Sequence, residues 1–282
     1  MRCDAEKLLN ALKLPTFARE YEKTARQCAE GDKHYEEFLL SLAEMEVAER
    51  QRKSTARRMR QAKFPAEKDL ADFDFGAVPT LNRRRVQELS RGEYMERHEN
   101  IVLVGPAGVG KTHLALRREA CRRGRKVRFF TASGLATAYA EAREERQVQR
   151  LERHTQKGDL VIVDELAYVP PGHGAAENLY GFFSLCYERV SVIVTTNLPF
   201  SEWPEIFCDE RLGGALIDRL THHVHVVEIQ GESYRLKASL AARPEDGGQS
   251  PSSGKEGGAE TTETHRPHQW PEAAIDRARG GR

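Results

Sequence analysis

The chain has 282 residues, and 39% of them are hydrophobic, which is enough apolar material for one large folded domain with a smaller addition. Its 44 lysines and arginines nearly balance its 43 aspartates and glutamates, so the net charge of +1 does not by itself indicate a nucleic-acid partner. Because no apolar run is long enough for a membrane span or a secretion signal, and the five cysteines are scattered, we expect a cytoplasmic protein without membrane contact, disulfide framework or zinc site.

The N-terminal region shows the apolar spacing of helices. A short helix is predicted before Pro15, and a second one before Gly31. A third helix is predicted to end before Pro65, because Pro disrupts helical hydrogen bonding. Its apolar residues recur at intervals of three and four, which is typical of a helix with one buried stripe: Tyr35, Phe38, Leu39, Leu42 and Met45. We therefore expect an all-helical domain over residues 1–65.

The second half of the third predicted helix is strongly basic. Seven lysines and arginines and no acid lie between residues 50 and 63, and four of them share one helical face: Arg50, Lys53, Arg57 and Arg60. A solvated helix surface is one interpretation of such a charge run. The lack of interleaved acids favours another, a stripe that contacts the phosphate backbone of double-stranded DNA. Arg83, Arg84 and Arg85 are expected to add to this surface. This interpretation predicts that the helical domain over residues 1–65 serves in DNA binding and assembly.

Residues 66–98 are predicted to form a linker and entry segment, which Phe73, Phe75, Leu81 and Val86 pack onto the core. Strands and helices then alternate through residues 99–240. The strands are expected at 100–104, 127–131, 160–164, 190–196 and 224–229, and the helices at about 112–123, 133–156, 175–189 and 209–222. Ser133 is the expected N-cap of the second of these helices. This alternation predicts an α/β fold with a five-stranded parallel sheet between helices, and ligands at the carboxyl ends of the strands.

The first predicted strand leads directly into a glycine-rich sequence with the P-loop pattern G-x-x-x-x-G-K-T. In this pattern the backbone N–H groups of the loop enclose a polyphosphate, Lys111 reaches its β- and γ-phosphates, and the Thr112 hydroxyl binds Mg²⁺. The pattern and its setting between a strand and a helix predict an ATP site formed by these residues: Gly105, Pro106, Ala107, Gly108, Val109, Gly110, Lys111, Thr112 and His113.

Two later strands are predicted to end in polar residues beside the P-loop. The apolar residues 160–163 lead into Asp164 and Glu165, the Walker B pattern. Asp164 is expected to hold Mg²⁺ through water, and Glu165 to polarise the water that attacks the γ-phosphate. Asn197, after the next strand, is placed to sense the γ-phosphate or to orient that water. Together these residues predict ATP hydrolysis.

The composition changes abruptly at about residue 241. Gly, Ser, Pro, Glu and Thr predominate from there, and only Trp270 and Ile275 are large and apolar. Because such a segment cannot bury a core, residues 241–282 are predicted to be disordered, and we assign them no function.

With these features together, the chain resembles the IstB-like ATP-binding proteins. These are helper ATPases encoded beside the transposase of one insertion-sequence family, and they are relatives of the helicase loader DnaC in the AAA+ superfamily. The resemblance extends from about Leu8 to Leu240. It rests on long matching sequences at residues 35–39, 73–75, 105–113, 127–132, 196–203, 218–220 and 231–235.

The resemblance implies more than the residues alone indicate. It implies a DNA-stimulated AAA+ ATPase that forms a homo-oligomer with ATP at subunit interfaces, and that acts with double-stranded DNA and a cognate transposase. It also implies that Arg219, in Asp-Arg-Leu, reaches a neighbour's γ-phosphate as an arginine finger. Arg235, in Glu-Ser-Tyr-Arg, stands where the second sensor arginine is expected.

One departure from the family leaves alternatives open. The helix after the P-loop is about two residues short, and since two residues rotate a helix by roughly 200°, its apolar face is expected to be interrupted under the nucleotide. A non-hydrolysing, ATP-gated DNA-binding protein is therefore one alternative. A helicase loader of the DnaC type, whose N-terminal region binds a helicase, is another. A small-molecule kinase is the least supported, because nothing in the sequence indicates an acceptor pocket.

Overall fold

The computed structural model describes residues 2–64, 70–168, 173–207, 210–231 and 233–234. Arg235 and the predicted disordered tail, residues 241–282, lie outside the described residues. In the described ranges, no helix is both long enough and apolar enough to span a membrane. The helices are α1 (Arg2–Ala11), α2 (Pro15–Glu30), α3 (Tyr35–Ala62), α4 (Arg83–Ser90), α5 (Glu93–Glu96), α6 (Lys111–Leu114), α7 (Arg117–Arg122), α8 (Ala132–Glu144), α9 (Val148–Gln156), α10 (His173–Cys186), α11 (Trp203–Ile206) and α12 (Glu210–Thr221).

Five parallel strands form one sheet in the order β2-β3-β4-β1-β5. They are β1 (Asn100–Val104), β2 (Val127–Thr131), β3 (Leu160–Asp164), β4 (Ser191–Thr196) and β5 (Val224–Glu228). Every residue of β1, β3 and β4 is buried, as expected for parallel strands that are covered by helices on both faces. The structure confirms the predicted α/β architecture with a five-stranded parallel sheet between helices, and each strand boundary lies within one residue of its prediction.

Alternate residues of each strand supply two apolar cores, one on each face of the sheet. Ile101 and Leu103 of β1 face a core that includes side chains of α4 to α7, the segment before α4 and the end of α3. Val102 and Val104 face a second core, with α8, α10, α11 and α12. This two-sided covering leaves the ends of the strands as the exposed part of the sheet, which is where ligands bind in such folds.

The prediction of one continuous helix over 112–123 is wrong, because the chain leaves helical geometry at Ala115 and Leu116. Leu116 has φ 49°, a left-handed conformation that costs an L residue about 1–2 kcal/mol. Leu114, Leu116 and Ala120 are nevertheless all buried in the first core. The break therefore keeps the apolar side chains facing the sheet in a segment that is too short to do so as a continuous helix.

The helix predicted over 133–156 is also two helices, α8 and α9. Thr131, and not Ser133, caps the first, since its hydroxyl accepts a hydrogen bond of 3.1 Å from the backbone N–H of Gly134. The chain turns between α8 and α9 at Arg146, which has φ 56°. Residues 143–147 contain only charged residues and one glutamine, so no buried side chain holds a continuous helix there.

The predicted linker and entry segment, residues 66–98, contains more regular structure than expected in the part that the structure describes. This part contains α4 and α5, and its apolar residues lie within the first core: Phe73, Val78, Leu81, Val86, Leu89, Tyr94 and Met95. Sequence analysis missed these two helices because one is short and the other is a single turn, which leaves almost no periodicity to detect.

The basic second half of α3 lies against the β-sheet. Ala62 is buried in the first core, and Phe64 packs edge-on against Phe129 of β2 with 6.1 Å between the ring centroids. The end of α3 therefore sits at the β2 edge of the sheet, and it presents its remaining faces to solvent.

Glu46 is a buried acid that links α2 to α3, and its replacement by glutamine is expected to destabilise this helix pair. Its carboxylate accepts hydrogen bonds from the Thr16 backbone N–H (2.8 Å) and from Arg50 Nε (2.7 Å). Burial alone would raise the pKa of Glu46, but these bonds outweigh it and lower the pKa below the ordinary 4.5. Because hydrogen bonds to a charged group contribute about 1.5–3 kcal/mol each, we expect Glu46→Gln to lower the free energy of unfolding by about 1–3 kcal/mol at neutral pH.

Urea denaturation of the wild type and of Glu46→Gln measures this difference, and the exposed Glu44→Gln on the same helix is the control. Since folding lowers the pKa of Glu46, its stabilisation is complete above the ordinary value of 4.5 and is lost as the pH falls through the folded-state pKa. The two proteins should therefore become equally stable in acid. A difference that persists unchanged at low pH would contradict the role of the charge.

Candidate functional site

The register of the parallel sheet brings the carboxyl ends of its strands together on one side of the molecule. Val104 of β1 is opposite Thr196 of β4, and Thr131 of β2 is opposite Asp164 of β3. The glycine-rich loop follows Val104 directly, so the loop and the polar residues of the other strands lie around one point.

The loop residues 105–110 take conformations that favour glycine. Gly108 has φ 82° and Gly110 has φ 94°. A β-carbon on Gly108 would lie 2.1 Å from Ser233 Oγ, and one on Gly110 would lie 2.8 Å from Phe73 Cε2. Glycine is therefore required at both positions by the backbone and by the neighbouring side chains.

The Lys111 ammonium lies over the loop. Its Nζ donates hydrogen bonds to the carbonyl oxygens of Gly105 (2.5 Å) and Pro106 (2.6 Å). These two residues, which sequence analysis assigned to the ATP site, thus hold the lysine, whereas residues 107–113 line the adjoining cavity. The arrangement places a positive charge beside the backbone amides that begin α6, where an anion is favoured.

Asp164 is almost completely buried and is held by two hydroxyl groups. Thr112 Oγ1 lies 3.1 Å from both of its carboxylate oxygens, and Thr195 Oγ1 donates to Oδ1. A threonine hydroxyl and a carboxylate at this separation are the hard oxygen ligands that Mg²⁺ prefers. Thr112 and Asp164 therefore fit the magnesium of a bound nucleotide.

Glu165 and Asn197 are exposed and line the same cavity as the loop. Glu165 has φ 60°, which is a left-handed conformation, and its backbone N–H donates to Thr195 Oγ1 at 3.0 Å. This conformation makes the backbone turn sharply at the end of β3. The bend directs the chain away from β3 just after Asp164. As a result Asp164 is buried against Thr112, whereas Glu165 is exposed in the cavity.

The cavity beside the loop has a volume of about 850 Å³, which is ample for a nucleotide. Several residues that sequence analysis did not assign to the site also line it: Asp72, Phe73, Asp74, Ala77, Val78, Phe129, Thr131, Tyr168, Thr195, Thr196 and Tyr234. Phe73 also stacks edge-on against His113, with 5.3 Å between ring centroids. The available signal was the Phe73-Asp-Phe75 sequence, but we interpreted it only as packing.

Arg117 is a further cavity residue that the sequence did not indicate. It is the first residue after the helix break and only 2% exposed, and its guanidinium lies 5.2 Å from the centre of the Phe64 ring. Burial lowers the pKa of Arg117, and the nearby charges of Asp164 and Glu119 oppose that shift. The break thus brings a buried cation next to the acid that is suited to magnesium.

Arg219 does not line the cavity beside the loop. It lies on α12, half-buried, with its guanidinium 5.4 Å from the Tyr180 ring centre and 5.7 Å from that of Tyr187. The assignment of Arg219 as an arginine finger stays a prediction, and so does that of Arg235, which lies outside the described residues.

The four predicted DNA-contacting residues of α3 are all exposed, but two of them are paired with acids. Arg50 bonds to Glu46, and Lys53 lies 3.4 Å from Glu49. Arg57 and Arg60 form no ion pair with any residue that the structure describes. The acids that neutralise the first half of the stripe precede residue 50, outside the window in which sequence analysis counted charges.

The three arginines at the start of α4 do not continue this stripe. Arg85 bonds to His225 of β5 at 2.6 Å, and β5 is the edge of the sheet opposite to β2. The expectation that Arg83, Arg84 and Arg85 add to the surface of α3 is therefore wrong.

Residues 7–242 match the family described as IstB-like ATP binding protein. The chain is 35% identical over 241 residues to the protein named as the ATP-binding protein of insertion sequence IS21 from Pseudomonas aeruginosa, covering 85% of this chain and 91% of that protein. It is 36% identical over 228 residues to the corresponding IS5376 protein from Geobacillus stearothermophilus, covering 80% and 91%.

Two solved structures are similar to the chain in fold. The match to the crystal structure of the DnaC helicase loader covers 52% of this chain and 86% of the loader chain, at 18% identity and a TM-score of 0.44. The match to the structure of AMPPCP-bound DnaA from Aquifex aeolicus covers 62% of this chain and 54% of the DnaA chain, at 21% identity and a TM-score of 0.48.

Proposed function

Because the chain belongs to the family of IstB-like ATP-binding proteins, we propose that it is an ATPase that assembles on double-stranded DNA and assists a transposase. The observation that carries this proposal is the meeting of the loop lysine, the buried Asp164 and the exposed Glu165 in one cavity. A site that only bound nucleotide would not need an exposed acid beside the γ-phosphate position.

In the proposed reaction, the loop amides and Lys111 bind the phosphates of ATP and stabilise the charge that develops on the γ-phosphate. Magnesium, held by Thr112 and Asp164, would neutralise phosphate charge when bound. Glu165 accepts a hydrogen bond from the attacking water, and Asn197 orients that water or senses the γ-phosphate. Thr195 fixes both acids, because it bonds to the Asp164 carboxylate and to the Glu165 backbone.

The DNA and transposase steps of the proposal rest on different observations. Arg57 and Arg60 are exposed and form no ion pair with a described residue. They support contact with a phosphate backbone, which should make binding salt-dependent and weakly selective for sequence. The relatives are named for insertion sequences, which supports a role in transposition. Arg219 on α12 supports assembly into oligomers in which one subunit's arginine completes the ATP site of the next.

A second candidate is a DNA-binding protein that binds ATP without hydrolysing it. The break at Ala115 and Leu116 favours it, because the helix that should align the loop is interrupted directly behind Thr112. Nucleotide binding needs the loop amides, whereas hydrolysis also needs the reacting groups to be aligned closely.

Steady-state ATP hydrolysis, measured with and without double-stranded DNA beside a Lys111→Ala control, separates the two candidates. Turnover that rises with DNA and is lost in Lys111→Ala supports the ATPase. ATP-dependent DNA binding without turnover would favour the second candidate. If a replicative helicase, and not DNA, is retained by the protein in a pull-down, the function is that of a helicase loader.

A further inference from the structure

A group of basic side chains lies at the β2 edge of the sheet, away from the nucleotide cavity. It is formed by Lys63 at the end of α3, Arg128 of β2, and Arg150, His154 and Lys157 of α9 and the turn that follows it. We call these five residues the edge cluster. Sequence analysis did not detect it, because its members are separated by up to 94 positions and only the sheet brings them together.

The members of the edge cluster are close enough to interact electrostatically. Burial lowers the pKa of His154, and the charges of Arg128, Lys157, Lys63 and Arg150 lower it further, so all four cations lie near enough to act on the histidine. The backbone also connects these elements: a β-carbon on Gly158, next to Lys157, would lie 3.5 Å from Arg128 Cγ. Leu160 at the start of β3 pairs with Val127 of β2, which fixes the turn after α9 beside Arg128.

The cations of the edge cluster are not neutralised within the described part of the chain. None of Lys63, Arg128, Arg150 and Lys157 forms an ion pair with a described residue, and the buried Arg128 Nε has no hydrogen-bond partner there. The acid at this turn, Asp159, accepts a hydrogen bond from the Lys126 backbone N–H at 2.7 Å. Such a concentration of like charge is unfavourable unless an anion binds to it.

The edge cluster is also continuous with the basic face of α3. Arg57, Arg60 and Lys63 follow one another at three-residue spacing and are all exposed. Because α3 packs against β2 at Phe64, this face runs directly to the sheet edge that holds Arg128. The exposed cations thus form one band that passes from α3 to α9.

We propose that the edge cluster is a second contact for the phosphate backbone of double-stranded DNA, so that the duplex bound by α3 extends across the β2 edge of the ATP-binding domain. This inference rests on the proposed function, because it assigns a second contact to the duplex that α3 is proposed to bind. Phosphates suit the band, since its exposed lysines and arginines form no ion pair with a described residue and can each meet a phosphate group of the duplex. A duplex held in this way would link α3 to β2, whose last residue, Thr131, lines the nucleotide cavity.

The test is the salt dependence of duplex binding by the double variant Lys63→Gln/Lys157→Gln in the presence of ATP. Fluorescence anisotropy of a labelled duplex, measured over a series of salt concentrations, gives the slope of log affinity against log salt. Because each phosphate contact contributes about −0.9 to this slope, we expect the variant to have a slope shallower by about 2 and a lower affinity at low salt. The matched control is Arg83→Gln/Arg84→Gln, which removes the same charge near the β5 edge and should leave the slope unchanged.

The outcomes separate this inference from the proposed function. If Arg57→Gln/Arg60→Gln weakens duplex binding while Lys63→Gln/Lys157→Gln binds like the wild type, the edge cluster is not a DNA contact and the proposed function stands. If the wild type binds no duplex at any salt concentration, both are overturned. If a poly-glutamate peptide displaces the duplex as well as unlabelled DNA of equal charge, the cluster serves an acidic protein partner and the inference fails. Unchanged binding of a fluorescent ATP analogue shows that the variants are folded.

Discussion

Replacing Glu165 by glutamine is expected to reduce ATP turnover by about two to four orders of magnitude and to leave ATP binding nearly unchanged. The side chain is exposed in the nucleotide cavity, one residue after the buried Asp164, and it makes no hydrogen bond in the described part of the chain. Its carboxylate is therefore available to accept a proton or a hydrogen bond from water. Glutamine has the same shape but cannot serve as a base, so the chemical step alone should be lost.

This result is measured as the turnover rate at saturating ATP, beside the dissociation constant of a fluorescent ATP analogue. Glu141→Gln on α8 is a suitable control, because Glu141 is exposed and lies outside the cavity. A loss of ATP binding equal to the loss of turnover would show that Glu165 shapes the cavity. A variant that keeps its turnover would exclude Glu165 as the base.

The conformation of Glu165 gives this prediction its structural reason. The left-handed φ of 60° would be avoided at an ordinary strand end, since it costs about 1–2 kcal/mol for an L residue. Here the Thr195 hydroxyl fixes it through the backbone N–H of Glu165. The strain therefore separates the roles of two adjacent acids, one buried against Thr112 and the other facing the cavity.

The sequence was sufficient to predict the sheet and the centre of the site. Strands such as 160–164 are continuous apolar runs because both faces of the sheet are covered, and this signal is local. The P-loop residues and the two acids could be found for the same reason, since each motif is contiguous. The register of parallel strands then places their ends together without further information.

The features that were missed depend on contacts between distant parts of the chain. The Phe73 ring lies over Gly110. Tyr234 follows the loop by more than 120 residues in the sequence, and its backbone N–H donates a hydrogen bond of 3.2 Å to the Gly108 carbonyl. Neither contact has a local pattern. The buried Arg117 is a similar case, because an arginine in a basic helical segment is normally predicted to be exposed.

The break between α6 and α7 is the structural consequence of the short segment after the P-loop. The shortened segment after the P-loop was expected to interrupt an apolar face, and the structure interrupts the helix itself. Keeping Leu114 and Leu116 both buried stabilises the core by more than the strained conformation costs. Packing therefore decides the local backbone, which propensity alone could not predict.

Replacing Arg219 by alanine is expected to reduce ATP turnover by about three to five orders of magnitude if Arg219 acts as an arginine finger. The residue lies outside its own cavity, over the rings of Tyr180 and Tyr187, so only the cavity of a neighbouring subunit is available to it in this role. The affinity of the isolated subunit for ATP should not change. Arg211→Ala, which removes an exposed arginine from the same helix, is the control for a general loss of charge.

A mixing experiment identifies the subunit on which Arg219 acts. Arg219→Ala retains an intact Glu165, and Glu165→Gln retains an intact Arg219, so each inactive variant carries what the other lacks. In mixed oligomers with head-to-tail interfaces, about a quarter of the sites would combine an intact Glu165 with a neighbour's intact Arg219, and turnover should recover to that extent. If Arg219→Ala is impaired but mixing restores nothing, Arg219 acts within its own subunit, where its contacts with Tyr180 and Tyr187 would stabilise α12 against α10. If Arg219→Ala keeps its full rate, the ATP site is complete without a neighbour's arginine.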